Sequence, residues 1–316
     1  MNSQIKLAII AIVIVIPLAS LAVTQPSFNS EISTTENSKL QVITSATFLS
    51  EFSQNVGKEM IDVTLLVPTG ADPHDWEPTI RDRERLQKAD IIIVNGIGYE
   101  HWLSSLDSKG NQGILVDTSN GILDSEKHND HAEEDEHNDH AEEDEHIHGN
   151  LDPHIWLNPV YAQLQVKNIA DALSDSDSAN KNYYQSNAEI YNKELDLLDS
   201  KIRIELSGCK TDFITFHNAF SYFAKEYGLT QHTIISSNDS HGEVTPKTLE
   251  KIISLAKELD IQIIFAEEST STKTSQIIAD ELGGKVLVLS PLEIVSDETY
   301  VEKMTQNLDS LKEALC

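Results

Sequence analysis

The chain has 316 residues and a formal net charge of −29, with 52 Asp and Glu against 23 Lys and Arg. That deficit of cations excludes a nucleic-acid binder, because phosphate contacts need clustered Lys and Arg. The length suffices for two domains of ordinary size, each with its own core, and the acidic surface attracts cations weakly.

In chain order, "LAIIAIVIVIPLASLAV" (7–23) is apolar except for Ser20. It is long for a signal-peptide core and barely long enough to span a bilayer, and either reading sends the folded part across a membrane. No cysteine follows the run, so a lipid anchor on Cys is not expected. Residues 24–38 are rich in Ser, Thr and Asn and read as a flexible tether. A tether serves an anchored protein better than a secreted one, which favours an uncleaved anchor over residues 1–23.

The folded part begins at residue 39. "LQVITS", "IDVTLLVP", "DIIIVNG" and "ILVDTS" read as strands, separated by helices in "ATFLSEFSQNVGKE" and "TIRDRERLQKA". A helix follows from Pro159 through "VYAQLQVKNIADALS". The next stretch, 178–206, contains neither Pro nor Gly, and apolar residues recur through Ile190, Leu195, Leu198, Ile202 and Leu206. As one helix it would run roughly 43 Å, a rigid strut across two lobes. Alternation resumes after Gly208, with strands in "TDFITF", "HTIIS", "IQIIFAE" and "KVLVLS" and a closing helix in "TYVEKMTQNLDSLKEAL". The fold class is α/β: two lobes, each a mostly parallel sheet flanked by helices, joined by one long helix. The divisions are an N-terminal lobe over 39–175, a linking helix over 176–207 and a C-terminal lobe over 208–316. The chain has 2 cysteines, Cys209 and Cys316. In an exported protein an even count suggests a disulfide, with two separate thiols as the alternative.

The first lobe is interrupted by an insertion over 125–148, in which the unit HNDHAEEDE is written twice. Residues 124–148 hold 12 Asp or Glu and 1 Lys, which leaves −18 for the rest of the chain. With almost nothing apolar it cannot bury itself, so it is expected to be disordered without ligand. Its histidines, His128, His131, His137, His140, His146 and His148, are expected to bind metal weakly and exchangeably, collecting ions for a site made elsewhere. The alternative is a solvated insertion with no role.

That other site is signalled by "DPHDWEP" (72–78) and "DPHIWLNP" (152–159). Each places a His directly after Asp-Pro and two residues before Trp, next to a predicted element. Open α/β sheets bind ligands at the carboxyl ends of their strands. His74 follows the second strand, His217 directly follows "TDFITF", and Glu293 follows "KVLVLS". His74, His154, His217 and Glu293 are therefore the candidate ligands; three imidazoles and a carboxylate suit tetrahedral Zn²⁺. Glu267 in "FAEES" is expected to orient a ligand histidine rather than to bind metal. His101, His232 and His241 read as surface or packing residues, and Trp76, Trp156 and Tyr222 as packing around the ligand loops.

These stretches, with "PTGADPHDWEPTIRD", "ADIIIVNGIGYEHWL", "TFHNAFSYFAKEYGL", "GEVTPKTL", "FAEESTSTK" and "VLVLSPLE", resemble the zinc/manganese solute-binding proteins of ABC importers over residues 39–316. The resemblance implies two α/β lobes bridged by a long helix, with metal held in the cleft by His74, His154, His217 and Glu293. Manganese and iron binders of the family carry a carboxylate where this chain has His217, so the resemblance implies Zn²⁺ as the transported ligand. Its partner would be the membrane permease of an importer, with a monomer tethered through the N-terminal segment. Mn²⁺ or Fe²⁺ transport is the runner-up, and a surface adhesin or metal buffer a further class. A zinc hydrolase would need an open coordination position and a general base, and HExxH is absent. No GxxxxGK[ST] phosphate loop is present, so the chain is not its own ATPase.

Overall fold

The computed structural model describes residues 39–68, 71, 74–105, 113–122, 151–235, 244–268 and 272–316. The apolar run, the tether and the six histidines of the insertion lie outside the described residues, as does His241. No helix among the described residues is long and apolar enough to cross a membrane.

The first half contains strands β1 (Leu40–Thr44), β2 (Ile61–Leu65), β3 (Ile91–Val94) and β4 (Ile114–Asp117), with helices α1 (Thr47–Gly57) and α2 (Ile80–Leu86) between them. All pairings are parallel and the order is β2-β1-β3-β4. Helices α3 (Pro159–Ser176) and α4 (Lys181–Glu205) lead to the second half. There β5 (Asp212–Thr215), α5 (Ser221–Tyr227), β6 (Thr230–Thr233), α6 (Pro246–Glu258), β7 (Ile263–Ala266), α7 (Lys273–Leu282), β8 (Lys285–Val288) and α8 (Tyr300–Leu315) repeat the pattern. The second sheet is also parallel, in the order β6-β5-β7-β8. The lobes thus share one topology. In each, the order reverses beside the first strand, which opens a crevice at the carboxyl ends of the central strands.

Three details differ from the sequence reading. The strut does not begin at residue 178: a short 3₁₀ turn at Ser178–Asn180 precedes α4. The Asp177 carboxylate accepts from Asn180 Nδ2 at 2.7 Å and from Tyr184 OH at 2.8 Å, which fixes the turn. The 25 residues of α4 span roughly 37 Å. Its buried stripe enters through Tyr184, Ala188 and Tyr191 before Leu195, Leu198 and Ile202, whereas Ile190 is exposed. At about 100° per residue Tyr191 lies in line with that face and Ile190 does not. Finally, β6 starts at Thr230, paired with Asp212, so that Ile234 and Ile235 are buried just past its end.

The lobes do not have separate cores. One cluster runs from Phe48, Phe52 and Trp156 through the inner face of α4 to Phe213, Tyr300, Met304 and Leu311. Phe48 stacks on Trp156 with centroids 4.3 Å apart, and Phe52 meets Tyr300 edge-on at 5.2 Å. Smaller clusters fill the outer side of each sheet. A disulfide joins Cys209, just past α4, to Cys316 at the end of α8, with Cα atoms 4.7 Å apart and a sequence separation of 107.

Candidate metal centre

His154 sits in a loop whose sequence is also a helix start. In "DPHIWLNP" the Asn158 side chain accepts from Val160 N at 2.9 Å, and Pro159 occupies the first turn of α3. An N-cap followed by Pro satisfies a free helix N–H and fixes the entry angle. The loop is anchored on both sides. Asn95, at the end of β3, donates from Nδ2 to Pro153 O at 2.9 Å, and Trp156 Nε1 donates to Pro291 O at 2.8 Å in the other lobe. Asn95 is held in turn by Gln165, whose Nε2 bonds Asn95 Oδ1 at 3.0 Å.

The turn after β3 places Tyr99 edge-on to His74, 5.2 Å between centroids. Gly96 has φ of 86°, and a Cβ there would fall 2.0 Å from Asp117 Oδ1, so the turn requires glycine. Glu100 fastens it by accepting from Ser45 Oγ at 2.5 Å, Asn95 N at 2.7 Å and Gly96 N at 3.0 Å. Burial pushes this carboxyl up to about 7 despite those donors.

In the second lobe, His217 lies two residues past β5, and Glu267 directly follows the neighbouring strand β7. Glu267 Oε1 receives both the His217 backbone N–H at 3.1 Å and ring Nδ1 at 2.6 Å. Gln231, on β6, donates to His217 O at 3.0 Å. Glu293 lies in the loop after β8. That loop is held by Thr47 Oγ1, which donates to Leu292 O at 3.0 Å, and by Asn307, which bonds both backbone groups of Ser290. Leu292 takes a left-handed φ of 60°, uncommon for a branched side chain, and turns the next residue inward.

The four side chains converge. One ligand atom from each of His74, His154, His217 and Glu293 lies within 4.8 Å of all the others. His154 and His217 are fully buried and His74 nearly so. Glu293 Oε1 is 2.9 Å from His74 Nε2 and 3.4 Å from His154 Nε2, and the two facing Nε2 atoms of His154 and His217 are 3.3 Å apart. Ligands about 2.0–2.1 Å from one tetrahedral zinc ion stand roughly 3.3–3.4 Å from each other. Two of these edges already match, and the third is shorter by less than half an ångström. The arrangement can enclose one small cation with three nitrogens and one oxygen.

The imidazoles and the carboxylate are coupled electrostatically. Burial alone would lower the His154 pKa, but hydrogen bonds to Asp152 and Glu293 outweigh it and hold the ring up to about 9. Burial would raise Glu293, yet His154 and His74 hold its carboxyl well below the usual range.

The remaining sequence candidates fall elsewhere. His101 is exposed on a 3₁₀ turn, and His232, on the edge strand β6, pairs with Asp212 on the adjacent inner strand β5 at 2.8 Å. Trp76 packs edge-on against Trp102. Sequence reasoning missed Asp152. Its Oδ1 accepts the His154 ring Nδ1 at 2.6 Å and the His154 backbone N–H at 3.0 Å. The signal was within the DPH motif itself, where the acid stands two residues before the imidazole.

Comparison with known proteins agrees with this architecture. Residues 42–314 match the family described as zinc-uptake complex component A, periplasmic. The chain is 41% identical over 286 residues to the high-affinity zinc uptake system protein ZnuA of Bacillus subtilis, covering 88% of each. It is 33% identical over 288 residues to the zinc-binding protein AdcA of Streptococcus pyogenes, covering 87% of this chain but only 56% of AdcA. The crystal structure of the metal-dependent lipoprotein YcdH of Bacillus subtilis superposes with a TM-score of 0.72 at 36% identity, over 88% of this chain and 99% of that one. Two parallel sheets of one topology, a long connecting helix and the match along nearly the whole folded part place the chain in the family of periplasmic zinc-uptake component A proteins.

Proposed function

We propose that the protein captures one Zn²⁺ outside the cytoplasm, between His74, His154, His217 and Glu293, and delivers it to the permease of an ABC importer. The observation that carries this reading is the convergence of the four ligand atoms, all within 4.8 Å of one another and two pairs 3.3 and 3.4 Å apart, from loops on both lobes. Three imidazoles and one carboxylate favour Zn²⁺ over the harder Mn²⁺, which prefers more oxygen. Glu267 orients His217, and its Oε1 contact fixes the tautomer that leaves Nε2 free for the ion. Four protein ligands leave no place for a reactive water, so the chemistry is capture and release without catalysis. The kinship of the chain to zinc-uptake proteins supports the same cargo. The N-terminal apolar segment would hold the monomer at the membrane, and the histidines of 128–148 would feed the cleft with weakly held ions.

The test is a chelator-competition titration of Zn²⁺ on the full chain and on His74→Ala, His154→Ala and His217→Ala. Each single change is expected to weaken the tightest binding by two orders of magnitude or more, while deleting residues 125–147 leaves it in place. High-affinity binding that survives all three substitutions and vanishes with the deletion would reverse the two sites. Mn²⁺ competing at concentrations comparable to Zn²⁺ would defeat the zinc assignment.

A further inference from the structure

The two buried imidazoles are oriented by one device. In each case a single carboxylate oxygen receives both the ring Nδ1 and the backbone N–H of the same histidine: Asp152 Oδ1 for His154 and Glu267 Oε1 for His217. What holds the carboxylate differs. Glu267 directly follows β7 and His217 lies two residues past the neighbouring strand β5, so acid and imidazole are carried by adjacent strands of one sheet. Asp152 lies in the loop before α3, and its second oxygen is bonded from the opposite lobe by Ser221 Oγ, at the start of α5. The next residue on that helix, Tyr222, donates from its hydroxyl to Asp152 O at 2.9 Å. Helix α5 begins four residues after His217. The segment that bears one ligand therefore reaches across and secures the residue that aims the other.

We propose that Asp152 is a positioning residue that couples contact between the lobes to the orientation of His154, with Ser221 as its clamp. The proposal rests on the metal-capture reading given above. While Ser221 is bonded, three donors fix the Asp152 carboxylate, and His154 Nε2 faces His217 Nε2 at 3.3 Å. If α5 moves away with its lobe, the carboxylate keeps its two bonds to His154 but loses the donor that braces it from outside the loop. His154 is then aimed by an unbraced carboxylate. Parting the lobes thus weakens the hold on the ion at a ligand of the opposite lobe, which gives a docked permease a route to trigger release without competing for the metal.

The experiment uses the full chain with Ser221→Ala, Ser221→Thr, Asp152→Asn and His154→Ala. Zinc affinity is read by chelator competition, zinc release by stopped flow, and coordination geometry by the visible spectrum of the Co²⁺-loaded protein. Ser221→Ala is expected to bind zinc about three- to tenfold more weakly, chiefly through faster release. Asp152→Asn is expected to lose about ten- to a hundredfold. Ser221→Thr, which keeps the hydroxyl, should restore near-parental affinity and release. The Co²⁺ ligand-field bands should shift in Ser221→Ala and Asp152→Asn and stay parental in Ser221→Thr. Parental affinity, release and spectrum in both Ser221→Ala and Asp152→Asn, with His154→Ala severely impaired, would overturn the clamp while leaving the capture reading intact. Parental affinity in His154→Ala would overturn the capture reading, and the clamp with it.

Discussion

Zinc binding is expected to expel about one proton near neutral pH. In the metal-free protein His154 carries hydrogen bonds at both ring nitrogens, to Asp152 at 2.6 Å and towards Glu293 at 3.4 Å, and the ring stays charged up to about 9. Glu293, held down by the same imidazoles, is ionised throughout and has no proton to give. A metal must therefore displace the His154 Nε2 proton at any pH below about 9. Each unit of pH below that point costs about 1.4 kcal/mol of apparent zinc affinity. Between about pH 8 and pH 6 the loss is about 2.7 kcal/mol, roughly a hundredfold in Kd. The same shift acts on the metal-free fold. The folded pKa lies above the ordinary value of 6.5, so the stabilisation is fully present below 6.5 and is lost as pH rises through about 9. Chelator competition across this range measures the affinity, and calorimetry in buffers of different ionisation enthalpy counts the protons. Zinc affinity that is flat from pH 6 to 8, with no proton released, would refute the linkage.

Two further outcomes follow from the same geometry. His217→Asp exchanges a nitrogen for a charged oxygen in the ligand set and is expected to narrow the preference for Zn²⁺ over Mn²⁺ by about tenfold or more, read by competition between the two ions. Replacing Cys316 by Ser opens a loop of 107 residues between the ends of α4 and α8, and chain entropy puts the loss at about 5 kcal/mol, measurable as a lower denaturant midpoint with a steeper slope from the less constrained unfolded chain.

Much of this was legible in the sequence because parallel sheets advertise their functional edge. His217 directly follows "TDFITF" and Glu293 follows "KVLVLS", so the sequence alone places each at a strand end, and the structure brings both to the crevice with His74 and His154. Glu267 directly follows β7, beside the strand that leads to His217. What the sequence concealed is long-range. Nothing in "DPHIWLNP" shows that Ser221, 69 positions later, bonds Asp152. Nor does composition show that Phe48, Trp156 and Tyr300 share one core, which merges two lobes that read as separately packed. The buried stripe of α4 misled for a local reason. Ile190 is the more hydrophobic of two adjacent residues, but helical phase buries Tyr191, whose hydroxyl donates to Glu51 Oε1 at 3.0 Å. The turn at Asp177 is likewise made by side-chain bonds that periodicity does not register.

X-ray absorption at the zinc edge, with anomalous diffraction from crystals of the zinc-loaded full chain, tests the central claim most directly. One tightly held ion is expected between the lobes, with three imidazole nitrogens and one carboxylate oxygen at about 2.0–2.1 Å. An ion held instead by the histidines of 128–148, with His74, His154, His217 and Glu293 left unliganded, would contradict it.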